Sequence, residues 1–74
     1  MASLTYRYRY KNYDITIVGY EVPGGWRMAI EIRRGDSAQV IRDTEHLYRD
    51  FNSLRSIGVL NAHLAIHSRS DHVD

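Results

Sequence analysis

The sequence predicts an α+β domain: an antiparallel β-meander of three to four strands packed by one C-terminal helix, in the order β-β-β-(β)-α. Three observations carry this expectation. Residues 6–17 alternate apolar or aromatic with polar side chains and break once, at Lys11-Asn12. That is the pattern of two half-buried strands joined by a two-residue turn. Turn signals then recur at Pro23-Gly24-Gly25 and Arg34-Gly35-Asp36-Ser37, the punctuation of a meander. Beyond residue 52 the apolar residues fall three and four apart, which is helical spacing.

Residues 1–4 read as a loose lead-in to the first strand. A turn at Lys11-Asn12 puts Tyr10 opposite Tyr13, Arg9 opposite Asp14, Tyr8 opposite Ile15 and Tyr6 opposite Ile17. One face then collects Tyr6, Tyr8, Tyr10, Tyr13, Ile15 and Ile17; the other collects Arg7, Arg9, Asp14 and Thr16. An Arg9–Asp14 cross-strand pair adds about 0.2–1 kcal/mol. A one-residue slip would set rings against charges, so the pattern opposes it. After Ile17 the alternating apolar set passes to Val18, Tyr20 and Val22, and Gly19, where the parity changes, suggests a bulge.

Residues 26–33 form the clearest strand, with Trp26, Met28, Ile30 and Ile32 on one side and Arg27, Glu31 and Arg33 on the other. Residues 38–42 read as a short fourth strand, with Gln39 and Ile41 on the Trp26/Ile30 side. Asp43-Thr44-Glu45 could cap a helix, and one helix over about residues 44–67 is an alternative. Asn52-Ser53 offers a fresh N-cap, which favours a main helix over residues 53–67 preceded by a loop or short turn. Residues 68–74 are polar and are expected to fray. On the helix, Leu54, Ile57, Leu60, Leu64 and Ala65 share a broad arc that Gly58 and Ala62 extend. Val59 and Ile66 project to the other side beside Arg55. A helix apolar on most sides is usually covered on more than one side. One sheet cannot cover both, so the expectation is a homodimer with Val59 and Ile66 at the interface.

With 74 residues the chain is a single small domain over residues 1–74, ordered over about residues 5–67. A core this small often needs a further support. The absence of cysteine excludes disulfides and thiolate-metal sites, leaving regular local structure or self-association. No apolar run approaches the roughly 20 residues that span a bilayer. Residues 1–7 lack the apolar core of a secretory signal, so the expectation is a soluble cytoplasmic protein. A net charge of +1 argues against broad, purely electrostatic binding of nucleic acid.

Tyr10-Lys11-Asn12-Tyr13-Asp14-Ile15, Gly24-Gly25-Trp26, a strand ending Ile32-Arg33-Arg34-Gly35, and Phe51-Asn52-Ser53 opening a helix with Gly58 and Ala62 make up a familiar order. Over about residues 8–67 it resembles small bacterial domains of unknown function built as a meander with a C-terminal helix, a double-stranded-RNA-binding-like arrangement. The resemblance implies the fold and brings no functional residue with it.

Four constellations bear on function. In the tract at residues 6–11, exposed rings could stack on bases while cations meet phosphates. Arg7, Arg9, Lys11, Arg27 and Arg33 are then a candidate nucleic-acid face. The competing reading turns the tyrosines inward with Ile15 and Ile17, and the register favours it. His63 and His67 are four apart, a metal-gripping spacing, but with no Glu in a His-Glu-x-x-His motif they read as solvated histidines on the polar side of the helix; no metal or cofactor is expected. Arg34-Gly35-Asp36 reads as a β-turn chosen for Gly and Asp rather than an adhesion motif. With no cysteine nucleophile, phosphate loop or paired carboxylates, no catalytic residue emerges and the chain is expected not to be an enzyme. The first functional expectation is a self-associating protein-interaction module; the alternative is a small nucleic-acid-binding or regulatory protein with a basic sheet face.

Overall fold

The structure is a computed structural model that describes residues 2–70, with side chains described for residues 2–68. Four strands, β1 (Ser3–Tyr10), β2 (Tyr13–Val22), β3 (Gly25–Arg34) and β4 (Ser37–Tyr48), form one antiparallel sheet in the order β1-β2-β3-β4. A single helix, α1 (Phe51–Ser70), lies across one face of it. Among the described residues no element covers the other face of the sheet. The α+β meander is therefore the observed fold.

The hairpin has the expected register, from Tyr10 opposite Tyr13 to Tyr6 opposite Ile17. Its turn places both Lys11 (φ 49°) and Asn12 (φ 67°) in the left-handed region. A two-residue turn of that hand matches the twist of the flanking strands. β1 begins earlier than the expected lead-in allows. Its pairing starts at Ser3 opposite Tyr20, and the Glu21 N–H donates to the Ala2 carbonyl at 2.8 Å.

Gly19 does not mark a bulge. Pairing runs through it without a shift, opposite Leu4 on one side and Met28 on the other. Ile15, Ile17 and Gly19 keep one face, while Val18 and Tyr20 stay on the uncovered face. The glycine makes room instead: a Cβ there would lie 2.7 Å from Phe51 Cδ1 and 3.1 Å from Leu54 Cδ1. The bulge lies in β4, which extends to Tyr48 rather than ending near residue 42. Met28 opposes Asp43 and Trp26 opposes Tyr48, so residues 44–47 face the single residue Arg27.

Asp43 holds this bulge together. Its Oδ1 accepts from the Glu45 N–H at 3.0 Å and the His46 N–H at 3.1 Å, and its Oδ2 accepts from the Tyr48 hydroxyl at 2.8 Å. The His46 ring Nδ1 sits 3.1 Å from the same carboxylate, and Arg27 Nη1 donates to the Thr44 carbonyl at 2.7 Å. Burial raises the Asp43 pKa, but the hydrogen bonds from Tyr48, Glu45 and His46 outweigh it and bring it down to about 2. Burial first, then Asp43, pushes the Tyr48 phenol up to about 12. The unfolded Asp43 titrates near 3.8 and the folded one near 2. Its contribution to stability is therefore complete above the higher value and lost as pH falls through the lower. We expect Asp43→Asn to destabilise the domain at neutral pH and to remove part of the stability loss between those two pH values. Urea midpoints across that range measure it, and unchanged midpoints for the variant contradict it.

α1 starts at Phe51, two residues before the expected Ser53. Asp50 is the N-cap: its Oδ1 accepts the Ser53 N–H at 2.8 Å. That bond, followed by the Ser53 hydroxyl, holds the Asp50 carboxyl below its ordinary range. The helix continues through Ser70, past the point where fraying was expected. Residues 71–74 of the expected tail lie outside the described residues.

The core is five sheet residues, Ile15, Ile17, Met28, Ile30 and Ile32, under three helix residues, Leu54, Ala62 and Ile66, all at most 2% exposed. Gly58 seats the helix. A Cβ on it would stand 2.9 Å from Ile17 Cγ2 and 3.1 Å from Met28 Sδ. The row turned to the sheet is Leu54, Gly58, Ala62 and Ile66: of the expected arc and its extension, Leu54, Gly58 and Ala62 meet the sheet and Ala65 packs half-buried against the core, while Ile57, Leu60 and Leu64 face away. Ile66 belongs to the core and cannot serve as an interface residue. Val59 is half-buried against the core. Two small residues in the row let the helix backbone approach the sheet, and that clearance outweighs the larger side chains elsewhere.

Candidate functional site

Seating α1 on its small residues leaves a different stripe facing outward. Ile57, Leu60 and Leu64 are 41%, 54% and 58% exposed. Their spacing of three and four puts them on one face. Ser53, Ser56, His67 and Ser68 are the exposed residues around them. Between residues 51 and 68 the only Asp, Glu, Lys or Arg is Arg55. Its guanidinium lies 5.2 Å over the Tyr6 ring, on the β1 side of the helix. Solvated helix faces usually carry charge. A face with three exposed aliphatic side chains and no charge has the composition of an interface centre. Sequence reasoning assigned these three residues to the core and missed them as a surface. The signal that could have found them is Gly58 and Ala62, which mark where the sheet comes close.

The β1 side of α1 is closed by rings. His63 stacks on Tyr10 with centroids 3.8 Å apart and planes 9° apart, and His67 Nε2 is 2.8 Å from the Tyr10 hydroxyl. Tyr8 lies 5.8 Å from His63 and 5.4 Å from Tyr6. Burial, then its neighbours Tyr6 and Tyr10, push the Tyr8 phenol up. The Tyr8 hydroxyl and His63 Nε2 are buried without a hydrogen-bond partner among the described residues. His63 is therefore half-buried against tyrosines rather than solvated, and both histidines engage Tyr10. Among the described residues no group of three His, Cys, Asp or Glu is placed to hold a metal ion.

The hairpin separates rings from cations. Tyr6, Tyr8 and Tyr10 share the helix side with Ile15 and Ile17, while Arg7 and Arg9 face the uncovered side. There Arg9, Asp14 and Arg33 form one cross-strand row and Arg7, Thr16 and Glu31 the next. Arg7, Asp14, Thr16, Glu31 and Arg33 line an open hollow of about 500 Å³. Arg9 Nε is 3.8 Å from Asp14 and Arg33 Nη2 is 3.4 Å from Glu31. Arg7, Arg9, Arg27 and Arg33 share the uncovered face of the sheet but are not gathered at one place on it. Arg7 and Arg33 line the hollow, with Arg9 beside it; Arg27 is held by the β4 bulge; Lys11 sits in the hairpin turn with Nζ 5.7 Å from the centre of the Tyr10 ring. Arg34-Gly35-Asp36 lies in the turn between β3 and β4, where the Arg34 guanidinium covers the Tyr13 ring at 5.4 Å.

The Asp43, His46 and Tyr48 cluster brings an acid, an imidazole and a phenol together beside Asn61 and Ile57 around a hollow of about 360 Å³. All of the carboxylate's contacts serve the bulge, so the cluster reads as a folding device. No described helix is long and apolar enough to cross a membrane. No protein-family model, curated protein or solved structure matches the chain.

Proposed function

We propose that the chain is a non-enzymatic interaction module that pairs with a second copy of itself through the outward stripe of α1. The observation that carries this reading is the exposure of Ile57, Leu60 and Leu64 on a helix face without charge. Burying such side chains gains about 25 cal/mol per Å² of apolar surface, and a few central aliphatic or aromatic anchors dominate an interface. The exposed stripe replaces Val59 and Ile66 as the contact, because those two pack toward the sheet. Leu60→Asp combined with Leu64→Asp is expected to convert a dimer to a monomer while the circular dichroism spectrum stays that of the folded chain. A folded double variant that keeps the wild-type mass removes α1 from the contact.

A second reading, binding of a nucleic-acid backbone on the uncovered sheet face, is favoured by Arg7 and Arg33 at the hollow, with Arg9 beside Asp14 at its edge. Asp14 and Glu31 offset much of that charge, and the rings that would stack on bases lie on the far side. This reading expects retention of single-stranded RNA or DNA that weakens steeply with salt; no binding near about 50 mM salt contradicts it.

A further inference from the structure

β1 ends the strand order, and no described element pairs with its outer side. The Glu21 N–H donates to the Ala2 carbonyl, and hydrogen-bonded pairs alternate along an antiparallel ladder. Leu4, Tyr6, Tyr8 and Tyr10 therefore turn their backbone groups to β2, in step with the closing Tyr10–Tyr13 pair of the hairpin. Ser3, Thr5, Arg7 and Arg9 turn theirs outward. Bulges and prolines commonly blunt such an edge. β1 has neither: its pairing runs without a register shift and it contains no proline. The opposite edge is interrupted, because β4 leaves the ladder at its bulge after Asp43.

We propose that the β1 edge receives an extended peptide as an added strand, with acidic side chains at alternate positions toward the uncovered face and apolar ones toward α1. The side chains of β1 set this pattern. On the uncovered face Arg7 and Arg9 lie along the edge, and β1 contains no acid. Arg9 Nε is 3.8 Å from Asp14 with both side chains exposed, and Arg7 has no ion pair among the described residues. On the α1 side of the sheet Leu4 and Tyr6 are 48% and 37% exposed. An added strand sets acid against arginine on one face and aliphatic against Leu4 and Tyr6 on the other, and cross-strand pairs of both kinds stabilise a sheet.

A second copy does not supply this strand. No register of two β1 strands sets an acid against Arg7 or Arg9, since β1 has none. On β4 the residues that face the uncovered side before the bulge are Ala38, Val40 and Arg42, again without an acid. Charge along an edge opposes pairing between copies, and here the same charge selects an acidic partner. A phosphate backbone meets the arginines and the outward N–H groups, but its oxygens accept and do not donate. The outward carbonyls of Ser3, Thr5, Arg7 and Arg9 are matched by an extended peptide, which carries both donors and acceptors. The site does not depend on self-association through α1.

The probe is a capped peptide of 8 residues, the length of β1, alternating glutamate with valine. It is titrated into the isotope-labelled full chain and followed by the backbone amide signals in nuclear magnetic resonance. The Ser3, Thr5, Arg7 and Arg9 amides are expected to shift together and to exchange more slowly with solvent, while those of β4 stay in place. Lysine in place of glutamate, or N-methylation of alternate peptide amides, is expected to abolish the shifts. Thr5→Pro removes an outward N–H without removing a bond to β2, and is expected to abolish binding with an unchanged circular dichroism spectrum. Arg7→Glu is expected to weaken the glutamate peptide about fivefold; this variant and the peptide controls decide the matter even where Thr5→Pro unfolds the chain. Unmoved β1 amides overturn the proposal, and so does equal binding of the lysine peptide. A single-stranded oligonucleotide and the N-methylated peptide moving the same signals as strongly would show a polyanion face in place of strand addition, and overturn it as well.

Discussion

Ile17→Ala is expected to destabilise the domain by about 2–5 kcal/mol, the range for deleting a large aliphatic side chain from a packed core. Ile17 is fully buried and pairs with Ile30 across β2 and β3. Its Cγ2 also supports the helix at the Gly58 position. At about 0.05–0.15 kcal/mol per residue a chain this short has about 4–11 kcal/mol in all. The substitution therefore removes a large share of that stability and is expected to lower the urea midpoint in proportion. Urea denaturation followed by circular dichroism measures it. A loss of less than about 1 kcal/mol would mean that α1 does not press on β2 as described.

Gly58→Val is expected to be comparably damaging for the opposite reason. Valine forms a helix more readily than glycine, so an exposed site would gain slightly. Here the added Cβ alone stands 2.9 Å from Ile17 Cγ2 and 3.1 Å from Met28 Sδ. The branched γ-carbons need space that the sheet already fills. Overpacking of this kind costs about 1–3 kcal/mol or more. Met28 has flexible torsions and can yield, whereas Ile17 is held between β1 and β3. The helix must lift, weakening its contacts at Leu54 and Ala62 as well. A variant as stable as the wild type would show that α1 is seated on another face.

The hairpin, β3 and both turns were legible because each is written in local chemistry. Tyr6, Tyr8 and Tyr10 alternate with Arg7 and Arg9, and only one register keeps every ring opposite another ring or an isoleucine. What escaped the sequence depended on distant residues or on competing local ones. Gly19 looked like a bulge because glycine is common there; its actual reason is Phe51, which is 32 positions away in the chain. Asp43-Thr44-Glu45 looked like a helix cap. The same carboxylate, hydrogen-bonded to backbone N–H groups two and three residues ahead, instead turns β4 outward. The orientation of α1 was the costliest miss for function. With apolar residues nearly all round, periodicity could not say which side meets the sheet. Gly58 and Ala62 decide it by letting the backbones approach, which buries Ile66 and exposes Ile57, Leu60 and Leu64.

Self-association through the back of α1 is the central claim, and solution mass tests it most directly. Sedimentation equilibrium of the unmodified chain over a range of concentrations is expected to reach twice the 8.6 kDa chain mass. The dimer should dissociate on dilution, as a contact built on one helix face implies. A mass that stays at 8.6 kDa at every concentration would contradict the account.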